Sequence, residues 1–312
     1  MSVLHLIIPT LNAGSLWHEV IKGIQAQVLP NHLALQVLIV DSESRDDTRA
    51  LAQAAGFKVC TISRTSFGHG STRQDALEMI PEDSPFVVYM TQDAVLKDPT
   101  ALEKLLSPFE DPRVAASYGR QLPHENATWF AAQLRHFNYP SKDRVSAFED
   151  RFEMGLRAVF LSNSFAAYRL SLVREVGGFP RSALCAEDML LGAKLLKKGA
   201  LIAYAPKAEV LHSHNDSLWQ DFKRYFDTGV VHEIEKDSLA DFGGVHAQGW
   251  ALLSHLLKAL AGAGLWTAVS RGLEVLARLT TKWVAYRLGR LHPYMPKAFN
   301  KALSMSKNHW QT

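Results

Sequence analysis

The chain has 312 residues, 47% of them hydrophobic and 21% charged, with a formal net charge of +3. That length supports one large core or two modest ones, and the composition excludes disorder and fibrous repeats, while the small net charge argues against a nucleic-acid partner. Only two cysteines occur, Cys60 and Cys185, and neither belongs to a CxxC or Cys/His cluster, which argues against a disulfide framework or structural zinc and fits a reducing compartment. The opening Met1-Ser2-Val3-Leu4-His5 lacks the basic region of a signal peptide, so a cytoplasmic location is expected.

Along the first part, short β-branched runs alternate with helical periods. A strand is expected at Leu4 to Ile8, a helix at Leu16 to Gln27, a strand at Val37 to Val40, a helix at Thr48 to Ala55 and a strand at Val59 to Ile62. This βαβαβ order predicts a mainly parallel sheet of Rossmann-like type, covered by helices. A helix from Ser71 to Met79, strand Phe86 to Met90, helix Pro99 to Leu106 and strand Val114 to Tyr118 carry a nucleotide-binding part over residues 1–120. From Gln121 to Phe160 the period weakens among aromatic and charged residues, an insertion read as facing a ligand. Strand and helix resume at Ser164 to Tyr168, from Ser171, and at Glu187 to Lys198, with strands at Leu201 to Tyr204 and Glu209 to His212. These define an acceptor-binding and catalytic part over residues 121–232.

Residues 233–312 read as a helical C-terminal region. Between Arg271 and Thr312 the basic residues Arg271, Arg278, Lys282, Arg287, Arg290, Lys297, Lys301 and Lys307 face a single acid, Glu274. Such helices suit an anionic membrane surface, on which they would lie rather than span, because His255 and Lys258 interrupt the apolar stretch Leu252 to Val269. An ordinary helical subdomain with a solvated basic face is the alternative.

The chemistry-bearing residues cluster at strand ends. The first strand ends in Pro9-Thr10-Leu11-Asn12 and the second in Asp41-Ser42-Glu43-Ser44-Arg45-Asp46-Asp47-Thr48. These are C-terminal ends of neighbouring parallel strands, where α/β sheets bind ligands, and Asp41 can accept hydrogen bonds from a nucleotide base or ribose. The glycine-rich turn Phe67-Gly68-His69-Gly70 enters a helix carrying Arg73, a pattern suited to a diphosphate. After the strand Phe86 to Met90 come Gln92 and Asp93, the latter able to ligate a hard cation. Glu187-Asp188 opens a helix, where a carboxylate is held ionised, and His212 with His214 places two imidazoles at a strand end, either of which could ligate. GxGxxG is absent after the first strand, which disfavours a dehydrogenase, and so is the basic glycine-rich loop of a nucleotidyltransferase.

Taken in order, these segments resemble glycosyltransferase family 2, an inverting family with the GT-A fold. Pro9, Thr10, Asn12, Asp41, Ser42, Ser44, Asp46 or Asp47 and Thr48 match its opening pattern, whereas Gln92-Asp93-Ala94 departs from its Asp-x-Asp by keeping one acid. The resemblance implies Asp188 as general base with Glu187 beside it. It implies Mg²⁺ or Mn²⁺ on Asp93 with His212 or His214, and a nucleotide-sugar site of Pro9, Thr10, Leu11, Asn12, Asp41, Ser42, Ser44, Phe67, Gly68, His69, Gly70, Arg73, Gln92 and Asp93.

The further segments Gly119-Arg120-Gln121-Leu122-Pro123, Asn163 to Arg169 and Phe222 to Gly229 make the chain similar to bacterial rhamnosyltransferases of O-antigen and surface-polysaccharide assembly. That implies dTDP-β-L-rhamnose as donor and a lipid-linked saccharide as acceptor, at the inner face of the cytoplasmic membrane. The acceptor side is expected at Trp129, Asn163, Phe165 and Tyr168, where Phe165 or Tyr168 would also face the 6-deoxy methyl group. A family member using a UDP- or GDP-sugar, or a non-catalytic glycan-binding protein, are the competing readings.

Overall fold

The computed structural model describes residues 2–244, 246–261 and 264–311. The chain begins β1 (Ser2–Thr10), α1 (Trp17–Gln25), β2 (Leu33–Asp41), α2 (Thr48–Ala54), β3 (Lys58–Thr61), α3 (His69–Glu78) and β4 (Phe86–Met90). These four strands are parallel in the order β3-β2-β1-β4. Both faces of such a sheet are covered, so its strands read as continuous apolar runs, and Leu4 and Leu6 to Ile8 are all fully buried. In α1 the side chains Trp17, Val20, Ile21 and Ile24 fall on one buried face at helical spacing, and the Trp17 indole N–H donates to the Thr48 carbonyl at 3.0 Å.

The second half comprises β5 (Val95–Leu96), α4 (Ala101–Leu106), β6 (Val114–Leu122), α5 (Trp129–Asn138), β7 (Arg144–Ser146), α6 (Arg151–Met154), β8 (Phe165–Arg169), α7 (Leu170–Glu175), α8 (Glu187–Lys197) and β9 (Leu201–Leu211). The sheet runs β3-β2-β1-β4-β8-β6-β9-β5, with β7 on β9. The parallel order expected of the βαβαβ segment holds through β4; beyond it the sheet is mixed, with β8 antiparallel to both β4 and β6, while β6 and β9 are parallel. The two strands expected at 201–204 and 209–212 are one. Pairing jumps from Gly119↔Ala205 to Arg120↔Glu209, so β9 bulges around Pro206, which has no N–H to give the ladder.

The C-terminal region is helical, with α9 (Leu218–Ile234), α10 (Lys236–Leu239), α11 (His246–Leu260), α12 (Leu265–Arg290) and α13 (Lys297–Leu303). A capping box starts α9: the Gln220 amide N–H donates to Ser217 Oγ at 3.2 Å, and the Ser217 N–H to Gln220 Oε1 at 2.8 Å. Phe130 of α5 packs with Leu252 and Leu256 of α11 and Val275 of α12, forming a small separate core. Among the described residues no helix is long and apolar enough to cross a membrane. Helices α9 and α12 meet backbone to backbone at Gly229 and Gly289: a Cβ on Gly229 would lie 2.2 Å from the Tyr286 carbonyl oxygen.

Gly229→Ala should therefore cost about 1–3 kcal/mol in chemical denaturation, because the helices must separate. Gly249→Ala, at a solvent-facing position of α11 with no heavy atom within 4 Å of the added Cβ, should be neutral or stabilise by about 1 kcal/mol. Equal effects at the two sites would refute the tight crossing.

Candidate active site

The tips of β1 and β2 are stitched together by Asp41. Its Oδ1 accepts from the Ser44 N–H at 2.9 Å, and its Oδ2 from Thr10 Oγ at 2.9 Å and Ser44 Oγ at 2.5 Å. Ser44 Oγ in turn accepts from the Asn12 N–H at 2.8 Å. Asp41 is fully buried and Ser42 and Ser44 nearly so, which corrects the expectation that the Asp41 carboxylate faces the nucleotide: it shapes the two loops. Among their exposed residues are Leu11, Asn12 and Glu43, of which Asn12 and Glu43 have φ of 48° and 59°, a strained conformation typical of ligand-binding turns. Gln92 is also committed within the protein, accepting from the Leu11 N–H at 2.7 Å and donating to the Leu11 carbonyl at 3.2 Å. It ties the end of β4 to that of β1.

Beyond β4 the structure brings Asp93, His212 and His214 together, with one ligand atom from each all within 4.8 Å. His212 Nε2 lies 3.4 Å from Asp93 Oδ1, and His214 Nδ1 3.7 Å from Asp93 Oδ2. The tautomer of His212 follows from its other side. Gln121 donates through Nε2 to Ser162 Oγ at 2.8 Å and accepts at Oε1 from Arg135, so the His212 Nδ1 at 2.8 Å from that oxygen must carry the proton. Burial lowers the pKa of His212, and burial with His212 beside it brings that of His214 to about 4. Burial opposes ionisation of Asp93, and only protonated histidines, through a hydrogen bond and their charge, would offset it and hold its pKa well below the usual value; with both imidazoles neutral that support is missing. A bare imidazole lone pair thus faces a carboxylate, an arrangement that repels unless a cation lies between. Nitrogen and oxygen donors of this kind, with Gln121 fixing the ring from behind, fit a divalent metal.

Glu187 and Asp188 sit at the N-terminus of α8, immediately after Ala186, whose φ of 55° is left-handed without being glycine. Glu187 is buried and bound to Arg73 at 3.1 Å, both side chains only 5–6% exposed, and accepts from the Asn163 side-chain amide at 2.8 Å. Burial pushes the Glu187 carboxyl up, but Arg73, His69 and the Asn163 hydrogen bond together outweigh it and keep the acid ionised. Asp188 is half-buried, and accepts from the Asn163 backbone N–H at 2.9 Å. Burial and the negative Glu187 beside it raise its pKa to about 7. Two adjacent carboxylates pushed apart in this way are the pattern of an acid–base pair, one fixed and one titrating.

Several expectations need correction. Arg73 does not reach toward a diphosphate: it lies inside, donating to the His69 carbonyl at 3.0 Å and neutralising Glu187. Asn163 is a buried hub that also accepts from the Tyr168 hydroxyl at 2.7 Å, not an acceptor contact. Phe165 and Tyr168 lie on opposite core faces of the sheet, fully buried, so neither forms a wall for a sugar. Trp129 packs partly buried against the α5–α11–α12 core. The Phe67–Gly70 turn is half-buried, and Gly70 abuts the loop before α8, since a Cβ there would lie 1.9 Å from the Pro180 carbonyl oxygen. Pro9 and Thr10 complete the end of β1. Sequence reasoning missed Gln121 as the support of His212. The signal lay in the pairing of β6 with β9, which brings Gln121 and His212 together and which no local pattern reveals.

The family described as Glycosyl transferase family 2 matches residues 5–177. The O-antigen chain rhamnosyltransferase WbaN of Salmonella anatum is 41% identical over 309 residues, covering 98% of this chain and 95% of that protein. The O-antigen chain rhamnosyltransferase RfbN of Salmonella typhimurium is 40% identical over 310 residues, with the same coverage of 98% and 95%. Among solved structures, the mannosyltransferase PcManGT from Pyrobaculum calidifontis in complex with GDP-Man and Mn²⁺ superposes with a TM-score of 0.62 at 19% identity, over 92% of this chain and 86% of that one. S. aureus TarS 1-349 in complex with UDP-GlcNAc gives 0.58 at 16%, over 99% and 85%. The expected GT-A architecture with a helical C-terminal region is the one observed.

The carboxyl of Asp188 carries its proton in the folded protein up to about pH 7 but loses it near 3.8 when unfolded. Stability contributed by that proton is present at low pH and lost as the pH rises from about 4 to about 7. Asp188→Asn removes the penalty, so its gain in melting temperature should be larger at pH 8 than at pH 5; the same gain at both would show that Asp188 does not titrate in this range.

Proposed function

The chain belongs to glycosyltransferase family 2 and is a glycosyltransferase, and on that premise we propose that it transfers L-rhamnose with inversion from dTDP-β-L-rhamnose to a lipid-linked saccharide of a bacterial surface polysaccharide. The observation that carries the transfer chemistry is the separated pair Glu187/Asp188. Glu187 is consumed by Arg73 and Asn163, which leaves Asp188 as a lone titrating carboxylate, suited to a general base rather than to one half of a nucleophile–acid pair. The rhamnosyl donor rests on the two relatives, both O-antigen chain rhamnosyltransferases.

In this reading Asp188 takes the proton of the acceptor hydroxyl as its oxygen bonds to the anomeric carbon and the bond to the diphosphate breaks. Asp93, His212 and His214 hold a divalent cation, Mg²⁺ or Mn²⁺, and Gln121 keeps His212 Nε2 aimed at it. When bound, that cation supplies positive charge that stabilises the departing nucleoside diphosphate. Leu11 and Asn12, with the Phe67–Gly70 turn, take the nucleotide, while Asp41, Ser44, Gln92 and Arg73, with the Ser42 backbone N–H on the Thr10 carbonyl, position the loops around it.

The membrane contact we infer differs from a basic face. Arg278 and Lys282 are spent on Asp221, Arg271 on Glu274 and Arg290 on Glu233. Beside the exposed Lys258 and Arg287, α11 and α12 present a large apolar surface: Trp250, Leu257, Leu265, Trp266, Val269, Leu273 and Leu276. Side chains of this kind enter the interfacial zone of a bilayer, which supports a peripheral location on the inner face of the cytoplasmic membrane.

Calorimetric titration should show binding of dTDP-L-rhamnose that strengthens with Mn²⁺ or Mg²⁺ and weakens in Asp93→Ala, while a preference for UDP- or GDP-sugars would keep the transferase and remove the rhamnose. With donor and acceptor saturating, kcat should rise with pH through about 7, and Asp188→Asn should lower kcat by roughly 10²-fold or more with donor affinity near that of the wild type. In vesicle flotation the full chain should float with neutral as well as anionic lipids, and Trp266→Ser with Leu265→Ser should abolish it; flotation that vanishes with salt alone would point back to charge.

A further inference from the structure

A cavity of about 120 Å³ opens beside His214, between α5, α9 and α12, far above the roughly 10–15 Å³ that admits one water. Arg135, Arg224, Arg278 and Lys282 line it, with Asp216 and Asp221. The charges do not balance. Asp221 bridges Arg278 at 2.6 Å and Lys282 at 3.2 Å, Arg278 shares Glu274 with Arg271, and Arg224 pairs with Asp216 at 3.0 Å. Arg135 has no carboxylate partner among the described residues; its guanidinium donates to Gln121, and its buried Nε has no hydrogen-bond partner. Five cations thus meet three carboxylates.

Two uncompensated positive charges in a cleft whose deepest member, Lys282, is only 4% exposed are costly unless an anion completes them. Guanidinium groups offer planar pairs of donors matched to phosphate oxygens. The cavity also lies off the ends of β1, β2 and β4, where the nucleotide is placed, and is walled by helices that follow β6. Through His214 it adjoins the cluster proposed to hold the departing nucleoside diphosphate. Resting on the transferase reading above, we propose that this cavity is a subsite for a phosphate or diphosphate carried by the acceptor, which α12 completes. The acceptor then arrives with its phosphate in the cavity and its sugar toward Asp188. The phosphate sits inside the helical region whose outer face is apolar, so an acceptor with a lipid beyond its phosphate finds both chemistries in one place.

Inorganic pyrophosphate, titrated calorimetrically into the full chain in EDTA, is the probe, with dTDP plus Mn²⁺ titrated separately. Lys282→Gln and the rim variant Arg224→Gln should each weaken pyrophosphate binding about tenfold or more and leave dTDP affinity near that of the wild type. If Lys282→Gln fails to melt cooperatively, Arg224→Gln decides alone. Pyrophosphate that is displaced by dTDP and unaffected by the variants sits at the donor site and overturns the subsite while leaving the transferase. Variants that lose dTDP binding together with pyrophosphate would assign the cavity to the donor and overturn its acceptor role. A wild-type chain that binds pyrophosphate at the cavity but no dTDP would instead remove the function proposed above.

Discussion

Two charges share the interior between α3 and α8, and the site is arranged around them. A buried carboxylate is tolerable only with a partner in good geometry, and Glu187 has Arg73 at 3.1 Å and the Asn163 amide at 2.8 Å. That pairing keeps Glu187 negative, and a fixed negative charge on the adjacent residue is what, together with burial, makes Asp188 reluctant to ionise. It also docks the Phe67–Gly70 turn onto the loop before α8, where Gly70 and Pro180 touch with no room for a side chain. The reactivity of one carboxylate and the position of the turn proposed to hold the nucleotide thus have a common origin.

Asp188 and the Asp93–His212–His214 cluster are joined through three consecutive residues ahead of β8. Ser162 accepts from Gln121, which orients His212; Asn163 binds Glu187 and Asp188; the Ser164 carbonyl accepts from the Thr91 N–H at 3.4 Å, two residues before Asp93. The antiparallel placement of β8 between β4 and β6 makes this possible, because it brings the start of β8 to the same edge as the ends of both neighbours. A wholly parallel sheet would have put residues 162–164 at the opposite end.

Much of this was legible in the sequence. The apolar runs ending in Thr10, Asp41 and Met90 announced parallel strands with polar tips, and α1, α2, α3 and α8 were marked by period and position. Direction was not. A five-residue strand such as Phe165–Arg169 has the same alternation whichever way it runs, and alternation cannot say that both faces are covered, so Phe165 and Tyr168 read as available when both lie in core. Charged residues misled for a related reason. Arg73 and Lys282 look like surface groups until their partners, Glu187 and Asp221, are brought to them by tertiary packing. Asp41 was located correctly at its strand tip, yet its burial followed from Thr10 and Ser44, whose hydroxyls satisfy it. The histidine pair stood out as a pattern, while the tautomer that makes His212 a donor of its lone pair needed Gln121 across the β6–β9 pairing.

The glycine-to-glycine crossing of α9 and α12 bears on how such a protein can diverge. With a Cβ on Gly289 falling 2.1 Å from the Phe226 carbonyl oxygen, and one on Gly229 equally placed against Tyr286, neither helix can accept a larger residue there unless the other withdraws. Two surfaces that mesh so closely are inherited as a unit. Recombination among related sequences would yield working hybrids when the exchange falls before Ser217, carrying α9 and α12 together, and would split a matched pair when it falls in the segment between them, even though that later segment looks like the natural seam of the chain.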